Sequence, residues 1–172
     1  MTMTPEQAKG LAGMFAGMLE REMGCTRRVL AAMPDDKLEF KLGDKGRTAH
    51  EIMWHIAAGE EWFAESILRG DFDAPESQEP APATTAALVA WYDARLPALL
   101  EKVKGLAGER LAAPVSFFAM PPMPMVMYLE FWKVHTIHHR GQLSSYLRAV
   151  NARVPDIYGG SADEPYQAPA SA

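Results

Sequence analysis

The sequence predicts an all-α fold, a four-helix bundle, on three observations. Four stretches repeat apolar residues at helical spacing. Cap or breaker residues bound each stretch. The chain has 172 residues, 48% of them apolar and 23% charged, which suits one soluble domain with a sizeable core. The net charge of −5 argues against nucleic acid as a partner, because binding phosphates needs a basic surface. The one cysteine, Cys25, forms no disulfide within the chain and fits a reducing compartment. No charged-then-apolar leader opens the chain and no apolar run approaches the roughly 20 residues of a membrane span, so a cytoplasmic protein without membrane contact is expected.

Helix one is read over residues 5–33. Thr4 is its N-cap, Pro5 takes the first position, and Glu6 complements the dipole. Leu11, Met14, Phe15, Met18 and Leu19 give it an apolar stripe. Gly10, Gly13, Gly17 and Gly24 each weaken the helix by about 1 kcal/mol relative to Ala, which suggests close approach of a neighbour or a breathing helix. Met33-Pro34 ends it. A polar connection follows, with Leu38, Phe40 and Leu42 as anchors. Helix two runs from Thr48 to about Leu68, opened by the capping box Thr48-Ala-His-Glu51. Ile52, His55, Ile56, Gly59, Trp62, Phe63 and Ser66 share one broad face. His50, in the first turn, is expected in solvent.

Residues 70–83 form a loop rich in breakers, longer than the two to eight residues usual between bundle helices. That length lets helices two and three be other than antiparallel neighbours. Helix three, capped by Thr84 or Thr85, runs to about Leu106, with Leu88, Trp91, Tyr92, Leu96, Leu99 and Leu100 inward. Pro97 is expected to kink it or to break it near Arg95. Methionines 120, 123, 125 and 127 either line a cavity or dimer surface, or cover the bundle end. Helix four starts after Pro124 and ends near Val150. Residues 151–172 read as an irregular tail in which Ile157 and Tyr158 could dock.

The chemistry concentrates in helix four. His135 and His139 are four residues apart, so their imidazoles stack on one helical face. Tyr128, Phe131, Trp132, Gln142 and Tyr146 fall beside them; Lys133, Thr136, Arg140 and Ser144 fall opposite, where solvent is expected. His138 lies on the flank. Val134, Ile137 and Gly141 form a second strip, and a mid-helix glycine there points to close packing of another helix, in this chain or a second copy. Buried imidazoles need partners for both nitrogens, and a metal satisfies one nitrogen on each. His55, inward on helix two, is the third candidate ligand. Glu51, one turn before His55, and Gln142, close to His139, are candidates to orient the rings.

An inward histidine in helix two, followed by His135-Thr-Ile-His-His139-Arg-Gly-Gln142, resembles the DinB/YfiT superfamily of four-helix metalloproteins. The resemblance covers essentially the whole chain, residues 1–172, as one domain, and is most specific in helix four. It implies an up-down-down-up bundle with a long crossover between helices two and three. It also implies a divalent metal, zinc or nickel, on His55, His135 and His139, and a homodimer. Members with known activity use low-molecular-weight thiols as co-substrates for transfer or isomerisation, so the resemblance implies a thiol-dependent S-transferase acting on a small molecule. A metal-dependent hydrolase would use the same site. The rival reading is a non-catalytic, metal-stabilised dimeric bundle that acts as a binding protein. Glu51, His138 and Arg140 are the candidates for contacts to substrate or for proton transfer, and no evident general base is present.

Overall fold

The computed structural model describes residues 3–77 and 79–167. Among these, five α-helices and one small antiparallel sheet are formed: α1 (Pro5–Ala31), α2 (Ala49–Arg69), α3 (Thr85–Lys104), α4 (Gly108–Ala112), β1 (Pro114–Phe117), β2 (Met120–Pro124) and α5 (Tyr128–Ala149). The fold is therefore mostly helical rather than wholly so. The four long helices fall where the sequence places them, and α5 is helix four of the sequence reading.

The caps explain the boundaries. Thr4 and Gln7 form a reciprocal box at the start of α1, as do Thr48 and Glu51 at the start of α2. The Thr84 side chain accepts from the Ala87 amide at the start of α3. Gly70 ends α2 at φ 101°, a left-handed cap that a residue with a Cβ resists. Pro97 does not break α3, which runs on to Lys104.

The long helices enclose a core in which Trp132, Tyr92, Tyr128, Ile56, Leu88 and Leu96 are almost wholly buried. α1 packs on α3 and α5, and α2 packs on the same two. Lys9, near the start of α1, donates to the carbonyls of Lys104 and Leu106, while Arg27, near its end, pairs with Asp93. Residue numbers in α2 and α3 rise together: Trp54 meets Trp91, Glu60 meets Tyr92 and Glu61 meets Arg95. Against α5 they run oppositely, with His55 by His139 and Glu60 by Trp132.

Because α5 touches both α1 and α2, it buries two faces. That overturns the expectation of solvent opposite the histidines. Thr136 and Arg140 are among the buried polar residues. The Arg140 guanidinium lies 2.6 Å from the Glu22 carboxylate and also donates to the Glu22 carbonyl, Thr26 Oγ1 and the Tyr158 hydroxyl. Tyr158 in turn donates to Glu22, so the tail is fastened across α1 and α5. Residues 151–167 are irregular, and Ser161, Asp163 and Glu164 hold them with further hydrogen bonds.

The small residues differ from expectation. A Cβ at Gly10, Gly13, Gly17, Gly24 or Gly141 would have nothing within 4 Å. Close approach within this chain is not their reason. The methionines divide: Met125 is buried, Met123 and Met127 pack against the core, and Met120 is exposed. Among the described residues, no helix is long and apolar enough to cross a membrane.

Candidate metal centre

His55 comes from the second turn of α2; His135 and His139 come from successive turns of α5. Antiparallel packing of α2 on α5 brings the three rings to one point. His55 Nε2 lies 3.2 Å from His139 Nε2 and 3.2 Å from His135 Nε2. One ring nitrogen from each lies within 4.8 Å of the other two. Ring centroids are 4.4–4.9 Å apart. Gly59, one turn beyond His55, makes the space. A Cβ there would stand 2.8 Å from His135 Cε1.

The outer ring nitrogens fix the tautomers. His139 Nδ1 is 2.8 Å from Gln142 Oε1, a group that only accepts, so the proton sits on Nδ1. The Glu76 carboxylate stands 3.6 Å from His55 Nδ1, the acceptor toward which a proton on that nitrogen would point. Contact with His55 lowers the Glu76 pKa below the ordinary carboxylate value. Both Nε2 atoms then face each other at 3.2 Å as bare lone pairs. A cation between them would satisfy both. Burial, then the neighbouring rings His139 and His55, pushes His135 down to about 4, and burial also lowers His139. At neutral pH these two imidazoles are neutral and able to ligate.

Two of the three ligand spacings also suit an ion. Two nitrogens about 2.05 Å from a tetrahedral zinc stand about 3.3 Å apart, close to the two 3.2 Å separations. His135 Nδ1 is buried and has no hydrogen-bond partner among the described residues. Its ring is placed by packing, on Gly59 below and Phe63 at a centroid distance of 5.5 Å.

Other expected site residues sort as follows. Gln142 bridges the cluster outward, with its amide nitrogen 3.1 Å from His138 Nε2. His138 is thus linked to the site through Gln142 and lies edge-on to His139. Glu51 does not orient His55. Its carboxylate turns back to accept the Thr48 amide at 2.6 Å, because the uncapped N–H at the helix start is nearer and stronger as a partner. His50 is half-buried rather than in solvent, 2.8 Å from the Pro82 carbonyl.

The sequence reading missed Glu76, which arrives from the long loop. From Arg69 back to His55 the helix covers about 21 Å at about 1.5 Å per residue. The residues from Arg69 to Glu76 span at most about 25 Å when extended. The loop therefore runs back along α2 with little slack. Trp62 Nε1 pins it at the Ala74 carbonyl, and Arg95 holds Glu79. A carboxylate seven residues past a helix end, in a loop too long for a simple turn, was the available signal.

It also missed Glu60. This carboxylate is fully buried next to Gly59 and accepts from the Tyr92 hydroxyl at 3.0 Å and Trp132 Nε1 at 3.2 Å. Burial raises its pKa to about 7.

Two hollows meet at the cluster. A cleft of about 490 Å³ is lined by His55, His139, Arg47, Gln142, Ser145 and Tyr146 among others. A second, of about 440 Å³, lies on the His135 side.

Comparison with known proteins gives a consistent picture. The model of the DinB family matches residues 9–168. The uncharacterized protein YrdA of Bacillus subtilis (strain 168) is 26% identical over 154 residues, 87% of this chain and 89% of its own. A DinB-like protein from Bacillus cereus ATCC 10987 superposes with a TM-score of 0.72 at 23% identity, covering 92% of this chain and 100% of that one. A DinB-like protein, YjoA, from Bacillus subtilis gives 0.67 at 20% identity, covering 88% and 99%. These two likenesses are of fold.

Proposed function

The chain belongs to the DinB family, and from that premise we propose that it is a metal-dependent enzyme in which His55, His135 and His139 hold a divalent ion, zinc or nickel, for the transfer of a low-molecular-weight thiol. The observation that carries the reading is the convergence of one ring nitrogen from each of His55, His135 and His139, with His55 Nε2 3.2 Å from the Nε2 of each of the other two. When bound, such an ion with an open position would hold a thiol as its thiolate near neutral pH, the form that attacks electrophiles.

The chain's own residues supply the rest. Glu76 and Gln142 keep His55 and His139 in the ligating tautomer and orientation. Gly59 lets the His135 ring sit at ligand distance. Arg47 lines the cleft and offers a guanidinium to an anionic group of the thiol. Tyr146 donates to the Arg47 carbonyl at 2.8 Å and so ties that cleft wall to α5.

We further propose an up-down-down-up bundle with residues 70–83 as the crossover. The rising numbers across α2 and α3, and the opposed ones across α2 and α5, support it. The protein would act as one domain in the cytoplasm on a small molecule. A homodimer is also proposed, as the family resemblance implies.

The test uses untagged protein, since a histidine tag supplies competing ligands. Elemental analysis should find about one zinc or nickel per chain, lost in His135→Ala and His139→Ala. Thiol consumption with a panel of electrophiles should vanish in the same variants. Metal that survives both substitutions refutes the site; metal with no turnover across the panel refutes the enzyme and leaves a metal-stabilised binding protein.

A further inference from the structure

Resting on the two-substrate reading above, we propose that the hollow on the His135 side binds a small planar apolar molecule, the carbon body of the electrophile. The cluster stands between two hollows of different character, and His139 lines both. The Arg47 side is mixed, with Arg47, Gln142 and Ser145 beside Leu42 and Ile52. The other side is walled by Phe63, Phe117, Phe131 and Val134, with His135, His138 and His139 across from them. A reaction joining two molecules needs two seats that meet at the reacting atom, and these two meet at His139.

The volume, about 440 Å³, falls in the range of roughly 300–1,000 Å³ typical of small-ligand pockets. Its walls favour a flat ring. Phe63 and Phe117 lie 26° from parallel at 6.3 Å, and Phe131 stands edge-on to Phe117 at 5.8 Å. Glu130 is 2.7 Å from Lys133, and His138 Nε2 takes the Gln142 amide, whereas His135 Nδ1 is buried without a partner among the described residues. Selection would therefore be chiefly by shape and apolar contact, with His135 Nδ1 left to hydrogen-bond a polar edge of the ligand.

The Phe117 wall is delivered by a local irregularity. The β1–β2 register shifts between Val115 and Phe117, and Phe118 follows at φ 48°. A bulge re-aims the side chain next to it, and here Phe117 turns onto Phe63, Phe72 and Tyr128 while Phe118 is left 83% exposed.

The probe is 2-naphthol, followed by its fluorescence and by saturation-transfer NMR, on the metal-loaded protein. Val134 is 53% exposed, so Val134→Glu places a charge at the rim without touching the core. Leu42→Glu does the same at the rim of the Arg47 cleft, where Leu42 is 42% exposed. Binding should weaken at least tenfold in Val134→Glu and in Phe131→Ala, and stay within twofold in Leu42→Glu, with far-ultraviolet circular dichroism unchanged. No binding to the parent protein, or loss in Leu42→Glu instead, overturns the proposal. So does a sedimenting dimer that Val134→Glu dissociates while 2-naphthol never binds, which assigns the hollow to a second copy. Thiol turnover is scored separately. Turnover with polar electrophiles and no naphthol binding sinks this seat alone, whereas rim-dependent binding with no turnover sinks the transferase reading alone.

Discussion

Replacing Gly59 by alanine isolates the geometry of the metal centre from the identity of its ligands. The new Cβ would lie 2.8 Å from His135 Cε1. Carbon atoms in comfortable contact sit about 3.5–4.0 Å apart, so the ring must retreat by about 0.7 Å. Ligand distances tolerate only about 0.2 Å. A displacement of that size should weaken metal binding by about 10–100-fold, or about 1.4–2.7 kcal/mol, comparable to loss of a group that orients a ligand. The metal-free protein should respond differently. Alanine in a helix interior gains about 1 kcal/mol over glycine, set against about 1–3 kcal/mol of overpacking, for a net loss of about 0–2 kcal/mol. Gly141→Ala is the control: it lies in the helix that carries two of the ligands, in open space. It should raise the melting temperature by about 2–4 °C and leave affinity alone. Competition with a chromophoric chelator measures affinity, and thermal unfolding in excess chelator measures stability. Equal affinity in Gly59→Ala and the parent protein would refute the claim that this glycine sets the position of His135.

The other predictions concern carboxylates and one arginine. Glu76→Gln should lower metal affinity about tenfold with little effect on the metal-free fold. Glu51→Gln should do the reverse, costing about 0.5–1 kcal/mol of stability and leaving chelator competition unchanged; a swap of these outcomes would restore Glu51 as the partner of His55. Glu60 has its folded pKa raised from 4.5 to about 7. Its protonated form is the one folding favours, so its contribution is whole below pH 4.5 and fades as pH climbs through 7. Over that window it amounts to about 3 kcal/mol. Denaturant titrations of Glu60→Gln between pH 5 and 8 should show a flatter profile than the parent by about that amount, and parallel profiles would contradict it. Arg140→Ala leaves the Glu22 carboxylate, only 13% exposed, without its cation. The cost should be about 3–5 kcal/mol in chelator-treated protein, and a loss below 1 kcal/mol would show that the pair is dispensable.

How much was legible follows from which forces act locally. Thr4, Thr48 and Thr84 cap their own helices, so the starts of the three long helices they open could be read within a residue or two. His135 and His139 share a face by helical periodicity alone, and His55 sits among inward residues of α2. Orientation of the rings was only half legible. Gln142 lies one turn from His139 on the same helix, so its role was visible. Glu76 reaches His55 across a loop, where no periodicity operates. The buried side of α5 was misassigned for a related reason. The second packed face was read at Val134, Ile137 and Gly141, but it is Arg140 and Thr136 that face α1 while the histidines face α2. The hairpin escaped notice because Pro114, Pro121, Pro122 and Pro124 argue against strands, and an edge-only pair tolerates them.

The run from Arg69 to Glu76 behaves as a measured tether, anchored at one end of α2 and reaching nearly to the other. Length in that span is therefore coupled to the tautomer of a ring some 20 Å away. Deleting two residues before Glu76 would cut that reach to about 18 Å, less than the about 21 Å of helix it runs back along, whereas the stretch between Glu79 and Thr84 has no such duty. Chain length, rather than residue identity, would then be what the first half of the crossover preserves.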